Sequence, residues 1–163
     1  MRLDKIKTQE ELAEIVRILK DRGKTIVTTN GIFDLIHIGH IRSYEDAKKF
    51  GDILVVGINS DSSVRYIRGD KRPLVPQKER AGLLAALDIV DYVTIFEETE
   101  PSKFLDRIKP SIHVKGRDWE NKYCPEKELI ERNGGKMKFI DLVQGFSTTN
   151  LIKKIVEAYG NEK

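Results

Sequence analysis

Two imidazoles three residues apart, His37 and His40, flank Gly39 in the tetrapeptide His-Ile-Gly-His. They close the stretch Asn30-Gly-Ile-Phe-Asp-Leu-Ile-His-Ile-Gly-His, which directly follows the apolar run Thr25-Ile-Val-Thr-Thr. A short strand ending at Thr29 therefore leads through Asn30, Gly31, Phe33 and Asp34 into a loop and then into a helix. A helix start offers unpaired backbone N–H groups and a partial positive charge, so anions collect there. Imidazoles donate hydrogen bonds to phosphate oxygens, and a glycine removes the side chain that would block close approach. Phosphoryl chemistry needs mainly positioning and charge neutralisation, which two convergent donors on a helix dipole can supply. Zinc is the weaker reading, because three histidines and one cysteine include no His-Glu-x-x-His and no cysteine pair.

Strand and helix patterns alternate around this motif. Thr8 to Glu11 reads as a capping box, followed by a helical stripe of Leu12, Ile15, Val16 and Leu19 that stops at Gly23. Strands are expected at 24–29, 53–59, 91–96, 111–115 and 136–141. Between them helices are expected at about 39–50, 61–67, 77–87 with Pro76 as a first helical residue, 101–109, and up to Arg132. Ser147 caps a last helix through Tyr159. Arg68-Gly-Asp-Lys-Arg-Pro and the stretch 116–125 read as polar loops. Short strands alternating with helices imply an α/β fold, a five-stranded parallel sheet with helices on both faces. Right-handed crossovers put the strand C-terminal ends on one edge, where ligands bind. The loops reaching that edge carry His37 and His40, Asn59 to Asp61, Lys115 to Asp118, and Gly145 to Thr148.

Composition narrows the function classes. The chain has 163 residues, of which 34% are charged, and a formal net charge of +3. One domain over 1–163 is expected, since no repeat, linker or low-complexity tract divides it. Lys and Arg are spread without a basic run, which argues against nucleic acid as partner and suits anionic small molecules equally well. No apolar stretch approaches a membrane span and no signal peptide is apparent, so a soluble, cytoplasmic protein is expected. The single cysteine, Cys124, excludes an intramolecular disulfide framework and reads as an incidental thiol.

The motif stretches together resemble the His-x-Gly-His nucleotidyltransferases, a Rossmann-like family that includes glycerol-3-phosphate cytidylyltransferases. The matching segments are 29–40, Gly51-Asp-Ile-Leu-Val-Val-Gly-Ile-Asn-Ser-Asp, Arg68-Gly-Asp-Lys-Arg-Pro, 85–93, 96–101, 109–116 and Gly145-Phe-Ser-Thr-Thr-Asn. Within the family they are most similar to adenylyltransferases of D-glycero-β-D-manno-heptose 1-phosphate. One stretch departs: Lys115-Gly116-Arg117-Asp118-Trp119 looks more like the cytidylyltransferases.

The resemblance implies transfer of AMP from ATP to a sugar 1-phosphate, with pyrophosphate released, Mg2+ riding on the triphosphate, no dedicated protein metal site, and a homodimer. It implies catalytic roles for His37, His40 and Lys71. Nucleotide contacts would come from Thr29, Asn30, Gly31, Phe33, Asp34, Gly39, Lys115, Gly116, Asp118, Ser147, Thr148 and Thr149. Acceptor contacts would come from Asn59, Asp61, Arg72 and Arg80. Asp34 reads equally as an anchor for loop backbone, Arg80 as an exposed helical charge, and His113, mid-strand, as structural. Two alternatives stay open: a cytidylyltransferase of a polyol phosphate or an FMN adenylyltransferase, and a non-catalytic nucleotide-binding module.

Overall fold

The computed structural model describes residues 2–143 and 145–160. Five parallel strands, β1 (Ile26–Gly31), β2 (Ile53–Asn59), β3 (Tyr92–Phe96), β4 (Ile112–Gly116) and β5 (Lys136–Ile140), pair in the order β3-β2-β1-β4-β5. The helices are α1 (Gln9–Asp21), α2 (Ile38–Lys48), α3 (Asp61–Arg68), α4 (Gln77–Ala85), α5 (Ser102–Ile108), α6 (Pro125–Arg132) and α7 (Thr148–Tyr159). The capping box at Thr8 and Glu11 forms as expected, and Ser60 and Ser147 cap α3 and α7.

Alternation along the strands supplies two apolar faces. Val27, Leu54, Val56, Ile58 and Val114 pack with Tyr44 and Ala47 of α2 and Ala81, Leu84 and Ala85 of α4. On the opposite face Ile26 and Val55 meet Leu12 and Val16 of α1, Phe104, Leu105 and Ile108 of α5, and Ile130 of α6. Each fully buried Val, Leu or Ile contributes roughly 1.5–3 kcal/mol, so a sheet covered on both faces carries most of the stability.

Several boundaries differ from the sequence reading. β1 begins two residues later and runs on through Asn30 and Gly31, because these continue the ladder with Gly57 and Ile58 of β2. Thr25 is spent instead on the turn before β2: its carbonyl accepts from Asp52 and Ile53, and its N–H donates to the Asp52 carboxylate. Pro76 and Pro101 sit one position before their helices rather than inside them. The 116–125 loop contains a 3-10 turn, Arg117–Trp119.

The strand order creates the crevice. After β1 the chain passes to the α2 face, and after β4 it passes to the α6 face, so the neighbouring strands β1 and β4 send their connections opposite ways. Ligands bind at such a switch point, outside the strand C-terminal ends.

His113 is fully buried in β4, and one ring nitrogen lies 2.7 Å from the Thr28 hydroxyl. Burial, assisted by the Lys115 charge, pushes its pKa down to about 3. The unfolded chain takes up this proton near pH 6.5 while the folded chain refuses it, so stability falls as pH drops from 6.5 toward 3. The contribution is roughly 1.4 kcal/mol per pH unit. Thermal melts of His113→Gln across pH 7 to 4 should show a shallower acid loss than the unaltered chain, and parallel curves would assign the acid loss to carboxylates instead.

Candidate active site

A cleft of about 560 Å³ opens at the switch point. Its floor comes from the end of β1, with Asn30, Gly31, Phe33 and Asp34, and from His40 on α2. One wall carries Asn59, Arg68, Arg72 and Glu100, and the other carries Lys115, Trp119, Glu126, Thr148 and Thr149.

The histidine motif is built by local packing. His37 is the residue before α2, and the His37 and His40 rings stack with centroids 3.7 Å apart and planes 16° apart. A side chain on the buried Gly39 would meet His37 Nδ1 at 3.0 Å and Phe146 at 3.0 Å, so anything larger than glycine must push the His37 ring or Phe146 by a few tenths of an ångström. Phe33 adopts the left-handed region at φ 49°, which turns its ring edge-on to His40 at 5.2 Å. A Cβ at Gly31 would meet that ring at 2.9 Å. A non-glycine residue in this region costs of order 1–3 kcal/mol and persists where packing over-determines it.

The two rings face different spaces. His40 lines the main cleft, whereas His37 lines a smaller hollow of about 220 Å³ with Phe146, Ser147, Asn150 and Lys154. The backbone N–H of His37 donates to His40 Nδ1 at 3.4 Å, which leaves the proton of neutral His40 on Nε2. Burial, with the neighbouring His37 adding to it, lowers the His40 pKa to about 4, and burial lowers His37 as well. Both imidazoles are therefore neutral N–H donors near pH 7.

Asp34 holds the roof. Its wholly buried carboxylate accepts from Arg72 Nε at 2.5 Å, from the Leu74 N–H at 2.8 and 3.0 Å, and from the Val75 N–H at 2.8 Å. Burial raises its pKa, but these bonds together outweigh burial and keep it below the usual carboxylate range. Asp34 is thus a positioning residue for the segment after α3 rather than a nucleotide contact, in line with the backbone-anchor reading.

Other expected contacts also move. Arg80 is completely buried, neither an exposed charge nor an acceptor contact: it donates to the Val75 and Ile32 carbonyls and to Asp61 at 2.7 Å. Asp61, paired to Arg80, opens onto a separate surface groove with Pro76 and Gln77. Lys71 is exposed and does not line the cleft, while Arg68 and Arg72 of the same region do. Thr29 is a ladder residue between Val56 and Val114, outside the cleft lining. Asp118 is exposed beside Lys122, and Gly116 gives its carboxylate room, since a Cβ there would lie 2.6 Å from Asp118 Oδ1. Asn59 does reach the cleft, fixed by bonds to the Ser63 hydroxyl and the Glu98 carbonyl. Ser147 caps α7 through the Asn150 N–H, and Thr148 donates to the Leu35 carbonyl, tying α7 to the histidine loop.

Sequence reasoning missed Arg68, Glu100 and Glu126. Glu126 is 3% exposed and pairs with Lys115, and it accepts from the Cys124 thiol at 3.0 Å. Burial raises its pKa, but the thiol and Lys115 outweigh it, so the group stays ionised. No sequence signal marks it, because Glu126, Glu128 and Glu131 together resemble a solvated helix face.

The sequence profile of the cytidylyltransferase-like family matches residues 28–154, which includes β1 from Thr28 onward, the other four strands and the whole cleft floor. The chain belongs to the cytidylyltransferase-like family. It is 49% identical over 158 residues to the bifunctional protein HldE of Geobacter metallireducens, covering 97% of this chain and 32% of that protein. It is 46% identical to the same-named protein of Geobacter sulfurreducens, with 97% and 32% covered. The chain thus spans about a third of the length of these relatives. Among solved structures, a lipopolysaccharide core biosynthesis protein from Thermoplasma volcanium aligns with a TM-score of 0.59 and 28% identity, covering 74% of this chain and 98% of that one.

The Asp34 geometry makes a direct test. Asp34→Asn places an amide N–H2 against N–H donors, so the segment 72–75 should detach. Amide exchange at Leu74 and Val75 should accelerate at least tenfold, with nucleotide KM raised; protection equal to the unaltered chain would show that the carboxylate does not hold the segment.

Proposed function

We propose that this member of the cytidylyltransferase-like family transfers AMP from ATP to a sugar 1-phosphate, D-glycero-β-D-manno-heptose 1-phosphate, releasing pyrophosphate. The observation that carries the reaction type is the stacked, neutral His37–His40 pair at the N-terminus of α2, with His40 on the floor of the cleft at the switch point and His37 lining the smaller hollow beside it. Similarity to the HldE proteins across 97% of this chain supports the substrate reading.

The acceptor phosphate is already ionised and attacks the α-phosphorus directly. A new oxygen–phosphorus bond forms as the bond to the β-phosphate oxygen breaks, and the electron pair leaves with pyrophosphate, so no covalent enzyme intermediate is needed. His40 Nε2–H donates to an oxygen of the reacting phosphoryl group from the main cleft, and His37 does so from the adjoining hollow. N–H donors already aimed at the reacting group stabilise the charge that develops there without reorganising during the reaction. Thr148 and Thr149 at the α7 start, with Arg68 opposite, flank the same space. Among the described residues no cluster of three or more His, Cys, Asp or Glu side chains stands ready to hold a metal. Magnesium, carried in on the triphosphate with its water ligands, would supply charge neutralisation of the leaving pyrophosphate.

The second reading is CTP with a polyol phosphate such as glycerol 3-phosphate, favoured by Arg117-Asp118-Trp119. In the structure Arg117 is spent on Asp141 and Glu120, leaving Trp119 as the member of the trio that lines the cleft. The homodimer implied by the resemblance belongs to this proposal, and sedimentation velocity decides it. No helix among the described residues is long and apolar enough to cross a membrane.

Pyrophosphate release should be fastest with ATP plus the heptose 1-phosphate. CDP-linked product in an equal mixture of ATP and CTP, or turnover only with glycerol 3-phosphate, would promote the second reading. Absence of turnover with every pair would leave a binding module. His37→Ala and His40→Ala should each lower kcat about 10²–10³-fold with an unchanged circular dichroism spectrum; near-normal kcat in either would remove that ring from the chemistry.

A further inference from the structure

The charges lining the cleft are distributed unevenly. Arg68 on one wall forms no ion pair with any described residue, and the α2 start on the floor and the α7 start on the opposite wall carry backbone N–H groups beyond the one that each cap uses. That environment suits phosphates. At the β4 side the only lysine in the wall, Lys115, is already neutralised by Glu126, with side chains 10% and 4% exposed. Its ammonium also lies 4.3 Å from the centroid of the Trp119 ring, which is 40% exposed and lines the same wall. A buried, compensated pair is a poor anion clamp, because the carboxylate repels the incoming phosphate as strongly as the ammonium attracts it.

What this corner offers is different: an aromatic face, an ammonium donor and a carboxylate acceptor side by side. An uncharged heteroaromatic ring carrying an amine next to a bare ring nitrogen matches all three. It can stack on the indole, accept from Lys115 and donate to Glu126, whose two oxygens retain acceptor sites beyond those used by Lys115 and Cys124. We propose that Lys115, Glu126 and Trp119 form the nucleobase subsite, that the Lys115–Glu126 doublet selects amine-bearing bases over keto bases, and that Glu126 is its unrecognised specificity residue. This assignment rests on the nucleotidyltransferase reading and moves Lys115 from phosphate binding to base recognition. Buried polar groups left unpaired by the wrong base edge make such discrimination large.

Trp119 is the only tryptophan of the chain, so its emission reports the corner without reference to turnover. The experiment titrates ATP, ITP and tripolyphosphate into the full chain, following heat and Trp119 emission together. ATP is expected to change the emission, tripolyphosphate to bind without changing it, and ITP, which has a keto group in place of the amine, to bind about tenfold more weakly than ATP. Glu126→Gln and Lys115→Met should each weaken ATP about tenfold or more while leaving tripolyphosphate affinity unchanged, which also certifies the fold of the phosphate side. Should Glu126→Gln fail to fold, Lys115→Met with Glu126→Leu removes both charges at once and should show the same split. Equal affinities for ATP and ITP, or an equal loss for tripolyphosphate and ATP in Lys115→Met, would overturn the assignment. ATP that turns over with pyrophosphate release while Trp119 stays silent defeats this inference alone; no binding of ATP or tripolyphosphate defeats the proposed function with it.

Discussion

Everything at the site depends on β1 lying between β2 and β4 while the chain leaves β1 and β4 toward opposite faces. A parallel sheet must be covered on both sides, and its crossovers are right-handed, so reversing the strand order once leaves an uncovered gap at the C-terminal edge. Here the gap collects the end of β1, the start of α2, the turn after β4 and the start of α7. The core that enforces the reversal contains no residue proposed to react. Chemistry and stability are therefore carried by separable sets of side chains.

Within the gap, small residues decide geometry and buried charges decide rigidity. Gly39 lets two imidazoles stack, and Gly31 leaves space for the ring of Phe33. Asp34 and Arg80 then act as internal ties. One carboxylate gathers Arg72 and two backbone N–H groups, and one guanidinium gathers two carbonyls and Asp61. Breaking such a tie leaves a charge buried without partners, which costs far more than the intact tie contributes. The segment between α3 and α4 is thereby fixed at Arg72, Leu74 and Val75 by Asp34 and again at Val75 by Arg80, with Arg68 facing the cleft from the end of α3.

The electrostatics of the cleft follow from which charges are already used. Lys115 and Arg72 each have a carboxylate partner, whereas Arg68 has none among the described residues. Counting cations along the chain treats these three alike. Burial also removes charge from the histidines: His40 and His113 are driven to about 4 and about 3, so neither contributes positive charge near neutrality. The mild basic excess of the chain is consequently a poor guide to where an anion is held.

Local physics was legible in the sequence wherever it depends on neighbours along the chain. The capping box at Thr8, the cap at Ser147, the period of the apolar residues and the strand–loop–helix setting of His37 and His40 all form as read. The alternation of strands and helices implied a parallel sheet, and the structure is one. Partnerships between distant residues were not legible, because a charge's role depends on what burial brings beside it. Arg80 and Lys71 look equivalent as letters, yet one is sealed beneath the loop and the other is in solvent. Asp61 turned to Arg80, Asp34 to the loop backbone, and Glu126, one acid among several on a helix, became the buried partner of Lys115. The sequence by itself determined the elements and the motif; only the tertiary structure decided which charges remain free to meet a ligand, since pairing and desolvation are set across the sheet rather than along the chain.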